Sequence, residues 1–161
     1  MIPTRRHLEF AAGYLELGML VEAMEELEAI HADDRLSAPV MRLRADLYLQ
    51  ARQWDLLLAV SQELTRQHPD DERGWIHSAY ALRELDRVVE AKAILLEAEP
   101  RHGPVSGLLH YNLACYHCLL GEIPEAKTRL AIACRLSAGW RKAALDDPDL
   151  RAMWNEIAAM P

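Results

Sequence analysis

The stretch DERGWIHSAYALRELDRVVEAKAILLEAEP, residues 71–100, contains two amphipathic helical patterns joined by a short turn. Apolar residues recur three and four positions apart on both sides of the turn, which is typical of helices that bury one face. Asp71 suits the N-cap of the first helix, and Pro100 is expected to end the second. The stretch therefore predicts a helical hairpin over residues 72–85 and 88–99.

The same hairpin pattern returns along the chain with a period of about 34 residues, which is typical of stacked helical repeats. Gly18 and Gly121 fall at the same turn of their hairpins. The second helices share one equivalent position, occupied by Ala23, Leu57, Ala91 and Ala126. The other predicted helices cover residues 4–17, 21–32, 38–51, 54–68, 106–120 and 123–136. Because alternating strand patterns are almost missing, the sequence predicts an all-α protein.

The repeat divides the chain into four hairpin units and a C-terminal addition. The predicted units are 4–37, 38–71, 72–105 and 106–139, within one continuous domain, and Gly139 is expected to end the fourth. Residues 140–161 are predicted to form capping helices, a short one over 140–145 and a last one that begins at Asp147 and Pro148. The apolar residues expected to cover the fourth unit are Leu150, Met153, Trp154 and Ile157.

Composition narrows the class of partner and the compartment. Of the 161 residues, 51% are hydrophobic, which is sufficient for a continuous core, and 25 acidic against 18 basic residues give a net charge of −7. This charge repels phosphate and argues against general binding to nucleic acid or to an anionic membrane. No apolar run is long enough for a membrane span or a signal peptide, so the chain is expected in the cytoplasm.

The third unit carries the residues of a known repeat signature. They are Trp75, Ser78, Ala79 and Leu82 in the first helix and Ala91, Leu95 and Ala98 in the second. These positions resemble the tetratricopeptide repeat, whose pattern is WxxLGxxY followed by AxxxF and Pro. The second unit departs most, with Arg44 in an apolar slot, Leu57 in the small one and Ser61 in the aromatic one. The resemblance covers about residues 4–140 and implies a right-handed α-solenoid of about four antiparallel hairpins.

In this family the first helices line a concave groove that binds partner proteins. The resemblance therefore implies a binding surface made of first-helix side chains that lie outside the core. They are Arg42, Asp46, Arg73, Ile76, His77, Tyr80, Arg83, Tyr111 and Asn112. Arginine beside tyrosine suits the capture of an extended or helical peptide, because these residue types contribute much of the contact energy at interfaces. Alternatively, the arginines pair with Asp46, Glu16 and Glu84 and only keep the surface soluble.

Cysteine and histidine residues in the fourth unit invite a metal or redox interpretation. Cys115 and Cys118 have the spacing of a disulfide oxidoreductase pair, and His110 and His117 are close in sequence. The cysteines fall in the middle of a predicted helix, however, where no helix N-terminus lowers a thiol pKa. The histidines point to other faces of that helix, which leaves too few ligands for a tetrahedral site. We therefore predict no metal and no cofactor.

The sequence predicts a non-catalytic adaptor that binds a segment of another protein, since it also lacks a nucleophile elbow, a phosphate loop and an HExxH motif. Two alternatives stay open: a client-specific chaperone, similar to those of bacterial type III secretion, and an accessory subunit of an enzyme complex. The chain is expected to be a monomer or a weak homodimer, the latter through an apolar end with Trp140, Trp154 and Met160.

Overall fold

The computed structural model describes residues 2–159, which contain helices and no strand and so confirm the all-α prediction. The α-helices are α1 (Thr4–Glu16), α2 (Leu20–Glu28), α3 (Ala38–Gln50), α4 (Trp54–Gln67), α5 (Glu72–Glu84), α6 (Val88–His102), α7 (Gly107–Leu119), α8 (Ile123–Leu136), α9 (Gly139–Asp146) and α10 (Trp154–Ala158). Two short 3-10 helices cover Ala32–Asp34 and Pro148–Met153. Within the described range, no helix combines the length and the apolar content that a bilayer crossing requires.

The chain divides into two compact units, residues 1–85 and residues 86–161. In the first unit, α1 packs on α2 and α3, α3 packs on α4 and α5, and α4 packs on α5. In the second unit, α7 packs on α6 and α8, and α8 packs on α9. Helix α1 therefore packs on its hairpin partner α2, and α5 packs on the preceding helix α4. Helices α3 and α7 each pack on both the preceding and the following helix.

The turns between paired helices each contain one residue with left-handed backbone, and these residues recur with the repeat. Gly18 and Gly121 have φ of 72° and 76°, and Arg52 and Asp86 have φ of 53° and 61°. In three of the turns, the amide of the next residue donates at 2.9 Å to a carbonyl five residues back, from Met19 to Tyr14, from Gln53 to Tyr48 and from Glu122 to His117. This is the Schellman pattern of helix ends. The hairpins are therefore in phase at the level of the backbone.

Replacing Arg52 with Gly is expected to raise the free energy of unfolding by about 0.5 to 1 kcal/mol, because Gly adopts left-handed backbone without Cβ strain. Arg52→Ala removes the same side chain but keeps the strain, so it is the matched control and should bring no gain. Chemical denaturation of the wild type and both variants measures the difference. Equal stability of the Gly and Ala variants would contradict this explanation of the turn.

The buried positions that the repeats share are occupied mostly by alanine. The shared position of the second helices is 0% exposed in every repeat, at Ala23, Leu57, Ala91 and Ala126. A shared position of the first helices is also 0% exposed, at Ala11, Ala45, Ala79 and Ala114. Alanine adds only a Cβ atom, so helix backbones can approach closely at these points. The burial of Leu57 shows that the second repeat keeps the same register despite its larger residue.

The C-terminus of α2 lies at Glu28, four residues earlier than predicted, and arginine side chains bind carbonyls at this end. The Nη2 group of Arg35 donates to the carbonyl of Glu28 at 2.7 Å, and its Nε group donates to Ile30 at 3.0 Å. Arg44 donates from Nη2 to the carbonyl of Leu27 at 3.2 Å. Cations are favourable at this negative end of a helix. Arg44 therefore caps the preceding helix from a slot that is apolar in the repeat pattern.

Three other helix predictions were wrong in detail. Pro100 does not end α6, since the proline removes only one hydrogen bond and the last turn closes from the amide of Gly103 to the carbonyl of Glu99 at 2.8 Å. Gly139 begins α9 instead of ending the fourth unit. The last predicted helix consists of the 3-10 helix Pro148–Met153 followed by α10.

The 3-10 helix Pro148–Met153 packs on α7, and the segment that contains it has a buried apolar side. Leu150, Met153 and Ile157 are 0% exposed, as expected for residues that cover the last hairpin. The fourth residue of the predicted set, Trp154, is half-buried. The division of the chain into four sequence units stays a prediction, and its last residues, Met160 and Pro161, lie outside the described part of the chain.

Candidate functional site

Residues 1–85 bring together most of the predicted binding residues on one side, which we call the first-helix face. It is formed by α1, α3 and α5, and its predicted residues are Arg42, Asp46, Arg73, His77 and Tyr80. The residues of α3 and α5 recur at intervals of three or four, which places them along one side of each helix. The face therefore follows from the helical register that the sequence predicts.

Two ion pairs connect α3 with α5 on this face. The guanidinium of Arg42 donates to the carboxylate of Asp71, and Nη1 of Arg73 lies 3.5 Å from Oδ2 of Asp46. Asp71 also caps α5 as predicted, because its Oδ1 accepts from the amide of Arg73 at 3.1 Å. The partner of Arg42 was not predicted. The charges of these four residues are therefore paired within the protein. The Arg73–Asp46 pair is one that the alternative interpretation of the arginines expects, whereas the Arg42–Asp71 pair is not.

His77 lies close to both ion pairs and is neutral at neutral pH. Burial lowers the pKa of His77 below its ordinary value of 6.5, and the positive charge of Arg73 lowers it further. The carboxylates of Asp46 and Asp71 act in the opposite direction but do not outweigh burial. The Nδ1 atom of His77 is buried and has no hydrogen-bond partner among the described residues. Protonation would therefore place a charge in a poorly solvated position.

Stability should fall with decreasing pH more steeply in the wild type than in a His77→Gln variant. The folded-state pKa of His77 is lowered, so its contribution is fully present above about pH 6.5, the unfolded value, and is lost as the pH falls through the folded-state pKa. Urea unfolding between about pH 7.5 and about pH 5 measures both slopes. Identical slopes for the two proteins would show that His77 does not titrate as described.

An aromatic pair forms the apolar part of the first-helix face. Tyr80 is 37% exposed, and its ring meets the ring of Trp54 edge to face, with centroids 6.0 Å apart. Trp54 begins α4, so the restriction of the prediction to first helices missed it. Edge-to-face packing holds the tyrosine ring in place while part of it stays accessible. A fixed and accessible aromatic ring is a common anchor at protein interfaces.

Two other predicted residues of the first unit, Ile76 and Arg83, are less accessible to a binding partner. Ile76 is 8% exposed, so it belongs to the packed interior and offers little surface to a partner. Nη1 of Arg83 lies 3.4 Å from Oε1 of Glu84, one of the pairings that the alternative interpretation expects. Burial of Ile76 could not be read from its helix position alone, because the same position in α3 is the half-exposed Arg42.

Tyr111 and Asn112 lie in the second unit, and Tyr111 is occupied by the C-terminal segment. The Tyr111 hydroxyl donates to Oδ2 of Asp147 at 2.7 Å, and its ring stacks on Trp140 with centroids 4.6 Å apart. Tyr111 is therefore only 7% exposed, whereas Asn112 is half-buried. No sequence signal indicates this contact, because Asp147 is recognisable only as a helix cap before Pro148.

The tryptophans of the predicted apolar end also have partners within the second unit. Trp140 stacks on Tyr111, and the indole Nε1 of Trp154 donates to the carbonyl of Asp147 at 3.1 Å. The third residue of that prediction, Met160, lies outside the described residues. The described part of this end therefore uses its aromatic residues for internal packing, and self-association through it has little support.

The cysteine residues of α7 are buried thiols. Burial raises the pKa of Cys115, and the nearby carboxylate of Asp147 raises it further. The pKa of Cys118 is raised by burial as well. Among residues 2–159, no group of three or more His, Cys, Asp or Glu side chains is arranged to hold a metal ion. Because the reactive form of cysteine is the thiolate, this environment disfavours redox and metal chemistry.

The histidines near these cysteines take part in ion-pair networks that join α6 to α7 and α8. Nδ1 of His117 and Nζ of Lys92 lie 2.5 and 2.7 Å from the same Oε2 of Glu122. Hydrogen bonding by Lys92, and then by His117, holds the pKa of Glu122 below its usual value. In a second network, Arg129 binds the carboxylate of Glu99 through two hydrogen bonds and contacts His110. These contacts give both histidines a structural role.

Comparison with known proteins places the fold. No protein-family model and no curated protein sequence matches this chain. Among solved structures, MamA MSR-1 is 22% identical and superposes with a TM-score of 0.71, covering 85% of this chain and 78% of its own. A thermophilic TPR protein in Thermus thermophilus is 17% identical and superposes with a TM-score of 0.71, covering 98% of this chain and 100% of its own. The chain has the tetratricopeptide-repeat fold.

This tetratricopeptide-repeat fold accounts for the in-phase turns and the shared alanine positions. MamA AMB-1, with 22% identity and a TM-score of 0.70, agrees with the same assignment over 86% of this chain and 75% of its own. The sequence identities are low, so the superpositions establish the arrangement of helices and leave the ligand to be argued from the residues of the first-helix face.

Proposed function

We propose that this chain is a non-catalytic scaffold that binds a peptide segment of another protein on the first-helix face of residues 1–85. The observation that carries the proposal is the partly exposed Tyr80, held by Trp54, on the same helix as the exposed Arg73 of the Arg73–Asp46 pair. The proposal includes no cofactor, a cytoplasmic location, and a protein partner in place of nucleic acid or membrane, which the net charge of −7 supports.

The two arginines of the face differ in how easily a partner can use them. Arg73 and Asp46 are 57% and 36% exposed and lie 3.5 Å apart. Such exposed pairs contribute only about 0 to 1 kcal/mol, so a partner carboxylate or carbonyl can take over the guanidinium of Arg73 at little cost. Asp71 in the other pair is 10% exposed and also caps α5. We therefore infer that Arg42 fixes the face and that Arg73 contacts the partner.

The partner segment is expected to combine an apolar side chain with an acidic group. An apolar or aromatic side chain would pack against the ring of Tyr80, where contact area is gained with little loss of side-chain entropy. An acidic group would meet Arg73 through the planar guanidinium, which suits carboxylates. Tyr80 lies about two turns of α5 beyond Arg73, so a short extended or helical peptide can reach both.

Selection of peptides from a random display library on the purified chain tests this proposal even though the partner is unidentified. The selected peptides are then measured against Tyr80→Ala and Arg73→Ala, each with a control of the same residue class elsewhere in the first unit. The controls are Leu56→Ala and Arg66→Ala, both exposed residues of α4. We expect at least a tenfold loss of affinity for Tyr80→Ala, or about 1.4 kcal/mol, and a smaller loss for Arg73→Ala. Peptides that bind all four variants equally would refute the proposed face.

A further inference from the structure

The first helices share four outward positions that recur with the repeat. We aligned the four first helices by two features. One is the start of each helix, at residues 4, 38, 72 and 107, and the other is the left-handed residue of the turn that follows it, at 18, 52, 86 and 121. The positions are Arg6, Phe10, Gly13 and Leu17 for α1; Val40, Arg44, Leu47 and Ala51 for α3; Gly74, Ser78, Ala81 and Leu85 for α5; and Leu109, Leu113, Tyr116 and Leu120 for α7. We call the α1 set the outer α1 face.

These positions are covered in every repeat except the first. In α3, α5 and α7 the first three positions are buried, apart from the largely buried Arg44. The covering element is the preceding helix in each case, because α2 packs on α3, α4 on α5 and α6 on α7. On α1, by contrast, Phe10 is 42% and Leu17 74% exposed. Because an α-helix covers the equivalent positions in the other three repeats, the outer α1 face is suited to packing against an α-helix.

We propose that the outer α1 face packs against the outer α1 face of a second copy of this chain, with the two helices antiparallel. A two-fold axis near residues 11 and 12 places Phe10 of each copy opposite Gly13 of the other. A Cβ atom at Gly13 would meet nothing within 4 Å, so this position leaves room for the phenyl ring. Gly13 thereby supplies the hollow and Phe10 the side chain that fills it.

The charges of α1 favour the antiparallel pairing. Arg6 is exposed near the N-terminus of α1, and Glu16 is exposed at its C-terminus. In the two-fold arrangement, Arg6 of each copy lies beside Glu16 of the other. Each charge also meets the favourable end of the other helix dipole. The guanidinium of Arg6 lies 5.6 Å from the centre of the Phe10 ring. This cation–π contact places the charge of Arg6 next to the ring that would enter the interface.

The C-terminal segment of a second copy is a poorer occupant. The exposed residues of the 3-10 helix Pro148–Met153 and of α10 include Arg151, Asn155 and Glu156, which are polar or charged. Covering Phe10 and Leu17 with these side chains would remove charges from water without an apolar gain. The apolar residues of that segment, Leu150, Met153 and Ile157, are fully buried and are not accessible.

The expected dimer is weak. The 13 residues of α1 form a helix about 20 Å long. One such helix from each copy, extended by the exposed Val21, offers less than the roughly 800 Å² per partner that stable complexes bury. Association is therefore expected with a dissociation constant on the order of tens to hundreds of micromolar.

Sedimentation equilibrium of the full chain from about 5 to about 500 μM tests the dimer. We expect the average mass of the wild type to rise with concentration. Phe10→Glu should weaken association at least about tenfold, since it would bury charge at the interface. Leu56→Glu, an exposed apolar residue of α4, is the control and should associate like the wild type. Circular dichroism melts verify that both variants are folded.

A charge exchange tests the antiparallel orientation. Arg6→Glu and Glu16→Arg should each weaken association, and the double variant should restore it to near the wild-type level. A wild type that is monomeric at every concentration would overturn the proposal, as would equal association of Phe10→Glu and Leu56→Glu. Failure of the double variant to recover association would overturn the antiparallel register. None of these outcomes depends on the peptide-binding face, because Tyr80 and Arg73 remain unchanged.

Discussion

Replacing Asp147 with Ala is expected to lower the free energy of unfolding by about 2 to 4 kcal/mol. The two carboxylate oxygens of Asp147 have separate partners. Oδ2 accepts from the hydroxyl of Tyr111 at 2.7 Å, and Oδ1 accepts from the amide of Asp149 at 3.0 Å. Loss of a helix cap costs about 1 kcal/mol, and a buried hydroxyl without a partner costs about 1 to 3 kcal/mol. Urea unfolding followed by circular dichroism measures the change.

The neighbouring Asp146→Ala variant is the control for Asp147→Ala. Asp146 is exposed, so the same change there should cost no more than about 0.5 kcal/mol. In a Tyr111→Phe background the buried hydroxyl is gone, and Asp147→Ala should then cost only the cap, about 1 kcal/mol. Equal effects of the Asp147 and Asp146 variants would mean that the C-terminal segment does not cover α7 as described.

Gly74→Ala is expected to lower the free energy of unfolding by about 1 to 3 kcal/mol. A Cβ atom on Gly74 would lie 2.6 Å from Oγ1 of Thr65, 2.9 Å from its backbone nitrogen and 3.2 Å from the carbonyl oxygen of Ser61. The Thr65 hydroxyl can rotate away, but the backbone of α4 cannot move without disturbing the packing of the first unit. The clash should outweigh the gain of about 1 kcal/mol in helix propensity.

Gly13→Ala provides the matched control, since Gly13 is also in a first helix but has open space around its Cα. There the same substitution should raise the free energy of unfolding by about 0.5 to 1 kcal/mol when measured on dilute protein. Thermal or urea unfolding of both variants shows whether each substitution lowers or raises the free energy of unfolding. A gain for both glycines would contradict the close approach of α4 and α5.

Sequence reasoning located the helices because the signals that define them are local. The apolar period lies within each helix and the capping residue lies beside it. The predicted cap Asp71 is confirmed, since its carboxylate accepts from the amide of Arg73. The period of about 34 residues then predicts which positions of the four hairpins are equivalent. Even Arg52, which has no glycine signal, takes the left-handed backbone that the repeat position requires.

Contacts between distant residues could not be predicted in the same way. Tyr111 and Asp147 are separated by 36 positions, and nothing local selects one as the partner of the other. Whether an arginine of the first helices is paired depends on the distance between helices, as the pairing of Arg42 with Asp71 illustrates. The assignment of the binding face to particular residues therefore stays a proposal after the fold is known.

Amide chemical-shift mapping of the labelled chain with a display-selected peptide tests the central claim most directly, because it locates the bound peptide on the structure. We predict that the largest shifts fall on α1, α3 and α5 and centre on Arg73, His77 and Tyr80. These shifts should disappear in the Tyr80→Ala variant while the spectrum stays dispersed. Shifts concentrated on α2 and α4, or confined to residues 86–161, would contradict the proposed binding face.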